Sequence, residues 1–172
     1  MQPNFTVVDL AGMRIFLSND DGIDTLGPDC RERVARRPND DIWIVAPEKD
    51  QSGASHSPSL SEPVRCRSLG KRKFAVQGTP TDSVLMGILD LVSAPRPNLV
   101  LSGINRGGGN LDDHITYSGT VAAAMEGTLQ GIPSIAFSRY TVRRDRAKWT
   151  TAERYAPDLI NRLVFIGWAS NV

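Results

Sequence analysis

Strand-like and helix-like segments alternate along this chain, and this alternation constrains the fold more than any other feature of the sequence. The strand-like segments are short, apolar and rich in β-branched residues, and turn-forming residues such as Asn19 and Pro47 end the first two. They are Met13–Ser18, Ile42–Ala46, Asn98–Ser102 and Pro133–Phe137. Uninterrupted apolar strands are typical of a parallel sheet that helices cover on both faces. The sequence therefore predicts an α/β fold with a mostly parallel sheet.

The segments between these strands predict helices and a pair of shorter strands. Helices are expected over residues 25–37, 79–92, 119–130 and 147–166, a long loop over residues 48–61 and a Gly-rich loop over residues 103–117. Thr79 is a predicted N-cap, because Pro80 suits the first helical position and Asp82 the first turn. Val64–Arg67 and Phe74–Val76 predict a hairpin or two separate short strands.

Composition narrows the class of protein. A chain of 172 residues with 40% apolar residues fits one globular domain. The net charge of +1 gives no argument for nucleic acid or an anionic membrane, and no apolar run approaches the roughly 18 residues of a membrane-spanning helix. Two cysteines are too few for a disulfide framework, which favours a reduced, cytoplasmic compartment. Two histidines exclude a zinc site built from several histidines.

Polar clusters follow the predicted strands or open the next helix. They are Asn19–Gly22, Gln51–Ser55, Gly103–Asn110 and Tyr117–Thr120. Because ligands bind outside the carboxyl ends of strands in open α/β sheets, we expect these clusters to converge on one rim of the sheet. Taken singly, each cluster is also explained by a turn, a helix cap or a Gly/Ser loop.

The residue types in these clusters indicate phosphate chemistry. Two Asp carboxylates, a Ser hydroxyl and an Asn carbonyl are oxygen donors that suit Mg²⁺ or Mn²⁺. The helix start at Ser118–Thr120 offers backbone N–H groups to an anion such as phosphate. P-loop, dinucleotide-binding and nucleophile-elbow motifs are absent from the sequence. The pattern favours phosphoester hydrolysis by metal-activated water.

The two histidines are candidates for a proton donor to the leaving alkoxide. His56 is the stronger candidate, because it lies in the same predicted loop as Ser52. His114 lies close to Asp112 and Asp113 and is the weaker one. For each, a bystander role on the surface is the alternative.

Five motifs in order and spacing make the sequence resemble a known family. They are Ser18–Ile23, Val45–Pro47 with Gln51–Gly53, Gly78–Asp82, Ser102–Gly107 and Tyr117–Val121. From Met13 to about Ser138 the chain resembles the SurE family, the survival-protein 5′/3′-nucleotidases. The resemblance implies a Rossmann-like three-layer sandwich in residues 13–172, with residues 1–12 as an extension outside the family. Family members continue through a further strand and an oligomerisation arm, so we expect the fold to be truncated at the C-terminus.

The resemblance also implies an activity: a divalent-metal-dependent phosphatase that hydrolyses nucleoside 5′-monophosphates, and also 3′-monophosphates, to nucleoside and phosphate. It implies one Mg²⁺ or Mn²⁺ per chain, held by Asp20, Asp21, Ser52 and Asn105, with Asp20 and Asp21 as the catalytic residues. The substrate contacts expected on this basis are Gly53, Gly78, Thr79, Gly107, Ser118, Gly119 and Thr120. The family forms homo-oligomers, and the expected partners include neither nucleic acid nor membrane.

Two other readings stay open at this stage. An aspartyl-phosphate phosphatase with Asp20 or Asp21 as nucleophile is expected to carry Asp-x-Asp after the strand, whereas the aspartates here are adjacent. The second hypothesis is that the protein is not an enzyme but a truncated, catalytically inactive remnant that still binds metal or nucleotide.

Overall fold

The computed structural model describes residues 10, 12–25, 41–106, 110–141 and 149–169. The strands of this part are β1 (Ile15–Ser18), β2 (Ile42–Pro47), β3 (Arg65–Gly70), β4 (Lys73–Gln77), β5 (Leu99–Arg106) and β6 (Ser134–Arg139). The α-helices are α1 (Pro80–Met86), α2 (Gly119–Leu129) and α3 (Thr150–Ile166). A π-helical turn (Gly87–Leu91) follows α1, and a 3₁₀ turn (Asp112–Tyr117) precedes α2. The helix predicted at 25–37 falls almost entirely outside the described residues.

The strands form one sheet in the order β3-β4-β2-β1-β5-β6. β3 and β4 pair antiparallel as a hairpin, and the other neighbours pair parallel. The mostly parallel sheet predicted from the sequence is therefore confirmed. From β1 the chain goes to β2 on one side and later returns to β5 on the other. This arrangement makes the carboxyl ends of β1 and β5 the switch point at which α/β sheets bind ligands.

Both faces of the central strands β1 and β2 are buried, which explains their uninterrupted apolar sequences. Ile15 and Leu17 of β1 belong to the core cluster that contains Ile160 of α3. Phe16, between them, belongs to the opposite cluster with Val84 of α1 and Ala123 of α2. Alternate residues of one strand thus pack on different helices, and the three-layer α/β architecture is confirmed.

β5 is longer than its apolar segment predicts. Residues 103–106, expected to begin a glycine-rich loop, instead continue the strand. Gly103 has φ +106°, and a Cβ at this position would collide with the carbonyl oxygen of Phe137. The β5–β6 register shifts between Ser102 and Asn105, which is the local disruption of a β-bulge. The loop prediction was wrong here because glycine accommodates the irregular backbone and the strand resumes beyond it.

The predicted start of α1 is confirmed in detail. The Thr79 side chain accepts a hydrogen bond from the Asp82 backbone N–H at 3.1 Å, and the Asp82 carboxylate accepts one from the Thr79 N–H at 2.9 Å. This reciprocal capping box satisfies two N–H groups that the helix would otherwise leave unpaired.

Leu10, which lies in the predicted N-terminal extension, is buried in the same core cluster as Ile15.

Among the residues that the structure describes, no helix combines the length and the apolar character needed to cross a membrane.

Candidate active site

A cavity of about 140 Å³ lies at the carboxyl ends of β1 and β5. We call it the site cavity; its lining residues are Asp20, Ser52, Gly53, Asn105, Asn110, His114, Tyr117 and Ser118. Three separate segments of the chain therefore bring the predicted metal ligands Asp20, Ser52 and Asn105 to one place. In the described structure, residues of the predicted polar clusters meet at this rim of the sheet, as expected.

Asp20 is held at the N-terminus of α2. It is buried, and the Thr120 hydroxyl donates a hydrogen bond of 2.6 Å to its Oδ1. A Cβ on Gly119 would lie 2.6 Å from the Asp20 Cβ, so only glycine allows this close approach. The first turn of a helix favours negative charge, so α2 stabilises the Asp20 carboxylate in the position expected for a substrate phosphate.

Burial nevertheless raises the pKa of Asp20 above its ordinary value. Loss of solvent is the largest cause, hydrogen bonds from Thr120 oppose it, and the charge of Asp50 adds a smaller increase. A bound cation would offset both the lost hydration and the repulsion from Asp50. The Asp20 environment thus fits a metal ligand.

Ser52 is oriented by Asp50. The Ser52 hydroxyl donates to Asp50 Oδ1 at 2.6 Å, and the Ser52 backbone N–H donates to the same oxygen at 2.8 Å. Because the hydroxyl proton is committed to Asp50, the lone pairs of Ser52 Oγ stay available to a cation.

The four predicted ligands together present oxygen donors only. Asn105 is buried at the end of β5, and Asp21 is buried next to Asp20 but does not line the site cavity. Among the described residues there is no group of three or more His, Cys, Asp and Glu residues that could hold a metal. This chemistry fits a hard divalent cation such as Mg²⁺ or Mn²⁺, and it does not fit zinc.

The segment between β2 and β3, residues 48–64, carries Ser52, and we call it the Ser52 loop. Near the site its backbone is fixed by two hydrogen bonds: Gln51 N–H to the Asp20 carbonyl at 2.8 Å, and Ser55 N–H to the Tyr117 carbonyl at 3.2 Å. These bonds connect the loop to β1 and to the turn that precedes α2.

A second set of contacts fixes the far side of the Ser52 loop to α1. The Ser59 N–H and hydroxyl donate to the two oxygens of Asp82 at 2.8 and 2.7 Å, and the Thr79 hydroxyl donates to the Ser57 carbonyl at 2.8 Å. Asp82 is buried and serves the helix cap and the loop at once. The N-cap at Thr79 and the place of Asp82 in the first turn were predicted from the sequence, whereas the reciprocal bond from Asp82 and its contact with Ser59 were not.

The positions of the two histidines do not match their predicted ranking as candidate proton donors. His56 Nε2 lies 2.9 Å from Glu126 Oε2, and Gln130 Nε2 donates to Glu126 Oε1 at 2.9 Å. This contact ties the Ser52 loop to α2 and does not place His56 in the site cavity. His114, the weaker candidate, lines the cavity.

The predicted substrate contacts separate into distinct positions. Gly53 and Ser118 line the site cavity, while Thr79 caps α1. Thr120 and Gly119 contact or pack against Asp20. Gly107 lies outside the described residues.

Asn110 and Tyr117 belong to polar clusters that were expected at the rim, although neither was given a role of its own. Glu126 was not singled out from the sequence, because a single acid in an Ala-rich helix carries no signal for a site.

Comparisons with known proteins agree with this geometry. A family model described as "Survival protein SurE" matches residues 15–171. The chain is 52% identical over 166 residues to the 5′-nucleotidase SurE of Paramagnetospirillum magneticum and 51% identical over 163 residues to that of Caulobacter vibrioides. These alignments cover 96% and 93% of this chain, which spans 64% and 62% of the two relatives. The crystal structure of the SurE protein from Aquifex aeolicus superposes with a TM-score of 0.81 at 36% identity, covering 90% of this chain and 61% of that one.

Proposed function

The chain belongs to the SurE family, and from that membership we propose that it acts as a metal-dependent phosphatase on nucleoside 5′-monophosphates, and also on 3′-monophosphates. The observation that carries the proposal is the convergence of Asp20, Ser52 and Asn105 on one cavity at the switch point of the sheet. The relatives that this chain resembles at 51–52% identity are named 5′-nucleotidases.

The proposed reaction is hydrolysis of a phosphate monoester. The oxygen of a water molecule bonds to phosphorus, and the ester P–O bond breaks. The leaving oxygen takes up a proton, so the nucleoside is released with a free hydroxyl group. When bound, Mg²⁺ or Mn²⁺ supplies charge stabilisation for the phosphoryl oxygens and lowers the pKa of water. One such ion per chain would be held by Asp20, Asp21, Ser52 and Asn105.

The chain's own residues orient these groups. Thr120 fixes the Asp20 carboxylate through its hydroxyl, and Asp50 fixes the hydroxyl of Ser52. Ser118 caps α2 and lines the cavity, so the substrate phosphate would lie in the cavity beside Ser118. Gly53, which belongs to the Ser52 loop, lines the cavity and has no side chain that would fill it. Because His114 lines the site cavity, we propose it as the donor of a proton to the leaving oxygen.

The test is phosphate release from a panel of nucleoside monophosphates by chelated protein, before and after addition of Mg²⁺ or Mn²⁺. We expect turnover only with the added ion and none from Asp21→Asn, whose fold should be retained by circular dichroism. Activity that survives exhaustive chelation, or full activity in Asp21→Asn, would contradict the proposal. Metal binding without any turnover would instead support the inactive-remnant reading.

The cellular setting is a further part of the proposal. A cytoplasmic location is proposed from the low cysteine content, and the homo-oligomeric state of the family is proposed as an assembly to be measured by light scattering.

A further inference from the structure

A second cavity, of about 360 Å³, opens at the carboxyl ends of β2 and β4. It is lined by Glu48, Lys49, Gln51, Val76, Gln77 and Gly78. Gln51 belongs to this cavity, while the next two residues, Ser52 and Gly53, line the site cavity. Consecutive residues of one loop therefore line both cavities, which adjoin along this segment, and the Gln51 N–H bond to the Asp20 carbonyl holds the segment in place.

The wall of the second cavity presents hydrogen-bond acceptors. Arg67 donates to Glu48 Oε1 at 2.7 Å, and Gln77 Nε2 donates to Glu48 Oε2 at 3.1 Å. These hydrogen bonds, the one from Arg67 first, hold the pKa of Glu48 below its ordinary value, so the group is a carboxylate at neutral pH. Because the Gln77 nitrogen is committed to Glu48, its amide oxygen is directed elsewhere. Val76 is fully buried beneath them.

These walls offer acceptor oxygens to a group that carries N–H donors. A carboxylate accepts hydrogen bonds from amino and imino N–H groups of bases, as Glu and Asp do from cytosine in nucleic-acid recognition. Lys49 is exposed at the rim, where its charge is solvated. Gly78 adds no side chain, and a Cβ there would lie 2.5 Å from Asp82 Oδ2.

We propose that the second cavity binds the nucleoside part of the substrate, with the base against Glu48 and Gln77, while its phosphate occupies the site cavity. The inference rests on the proposed function, because it places the two ends of one nucleoside monophosphate in two adjoining cavities. One ribose separates the phosphate from the base, and the two cavities adjoin along one loop segment. Since the wall is rich in acceptors, bases with an exocyclic amino group are preferred to uracil.

Gln77→Trp tests the proposal, because it fills the cavity from an exposed position of β4. Lys73→Trp is the matched control: it lies on the same strand and the same face, four residues away at the opposite end. Kinetics with AMP, CMP, UMP and ribose 5-phosphate, which lacks a base, separate base recognition from phosphate chemistry. We expect Gln77→Trp to raise KM for AMP by about tenfold more than for ribose 5-phosphate, a difference that corresponds to one decade of affinity. Lys73→Trp should not produce this difference.

Glu48→Gln supplies a second measurement. The substitution exchanges one acceptor oxygen for a donor, so the preference for AMP and CMP over UMP should fall. Equal changes for AMP and ribose 5-phosphate in Gln77→Trp, together with an unchanged base preference in Glu48→Gln, would overturn the proposal.

Binding of adenosine, measured by calorimetry, tests the second cavity without relying on turnover. We expect adenosine to bind the parent protein and Lys73→Trp but to bind Gln77→Trp more weakly. If the parent protein hydrolyses no substrate, the proposed function fails, and adenosine binding still decides the cavity. If the parent is active but adenosine binds all three proteins equally, only the nucleoside-cavity proposal fails.

Discussion

At the scale of single residues, Asp20 shows how the chain manages a buried carboxylate. Its residue type and its place after a strand were enough to predict a ligand. Its partner Thr120, which lies 100 residues away in sequence, was predicted as a substrate contact, and its bond to Asp20 was not predicted. Sequence spacing identifies which residues reach the rim, but it does not identify which of them bond to each other.

Removal of the Thr120 hydroxyl should weaken metal binding without unfolding the protein. Thr120→Val keeps the volume but leaves Asp20 Oδ1 without its 2.6 Å donor. Residues that orient metal ligands typically contribute about 10–100-fold in affinity or activity. We expect a loss in that range for Mn²⁺ binding measured by calorimetry. Thr120→Ser, which restores the hydroxyl, should recover most of the affinity, and equal affinities in the Val and Ser variants would contradict the assignment.

Asp20 should also make the metal-free protein less stable as the pH rises. Its folded pKa is raised above its ordinary 3.8, so the folded state binds the proton more tightly than the unfolded state. The resulting stabilisation is complete below the unfolded pKa and is lost as the pH rises through the folded pKa. In chelator, the Tm of Asp20→Asn minus that of the parent should therefore increase with pH from about 4 upward and then level off. A difference that stays constant across this range would rule out the burial effect.

At the scale of elements, the Ser52 loop depends on helix caps for its position. The N-cap of α1 was predictable because Thr, Pro and Asp stand at the N-cap, N1 and N3 positions, a purely local pattern. The contacts from Ser59 to Asp82 and from His56 to Glu126 were not predictable, because both partners of each pair become neighbours only through tertiary packing. For the same reason His56 was preferred to His114 as a proton donor from proximity in sequence alone.

Asp82→Asn should destabilise the protein and loosen the Ser52 loop. Asp82 is a buried acceptor of hydrogen bonds from Ser59 and Thr79, and an amide group turns one acceptor oxygen into a donor that faces these donors. A loss of about 2 kcal/mol is expected for disrupted hydrogen bonds to a buried charged group. Urea unfolding measures it, and hydrogen exchange at the Ser59 amide reports on the loop.

Asp90→Asn is the matched control for this substitution. Asp90 is an exposed aspartate in the π-helical turn that follows α1, so the same chemical change should alter stability by less than about 0.5 kcal/mol. Similar losses in the two variants, or an unchanged exchange rate at Ser59 in Asp82→Asn, would show that Asp82 does not hold the loop.

At the scale of the whole molecule, the fold class followed from the alternation of elements, but the strand order did not. Apolar runs predict that the strands are buried and parallel. Which strands lie next to each other in the sheet depends on long-range packing. The site cavity was predictable because parallel strands end at a common rim. The second cavity was not, because Glu48 and Gln77 meet only through the pairing of β2 with β4.

This assembly from distant segments predicts that divalent cations stabilise the folded chain. Asp20, Ser52 and Asn105 line one cavity only when β1, the Ser52 loop and β5 are in place, so the unfolded chain should bind the ion weakly. An ion at 100 times its Kd stabilises a protein by about 2.7 kcal/mol. In a domain of this size that corresponds to a rise in Tm of roughly 5–10 °C. Mg²⁺ or Mn²⁺ titrations followed by calorimetric melting should show this rise in the parent protein and little or none in Asp20→Asn. A rise of equal size in both proteins would place the stabilising ion elsewhere on the molecule.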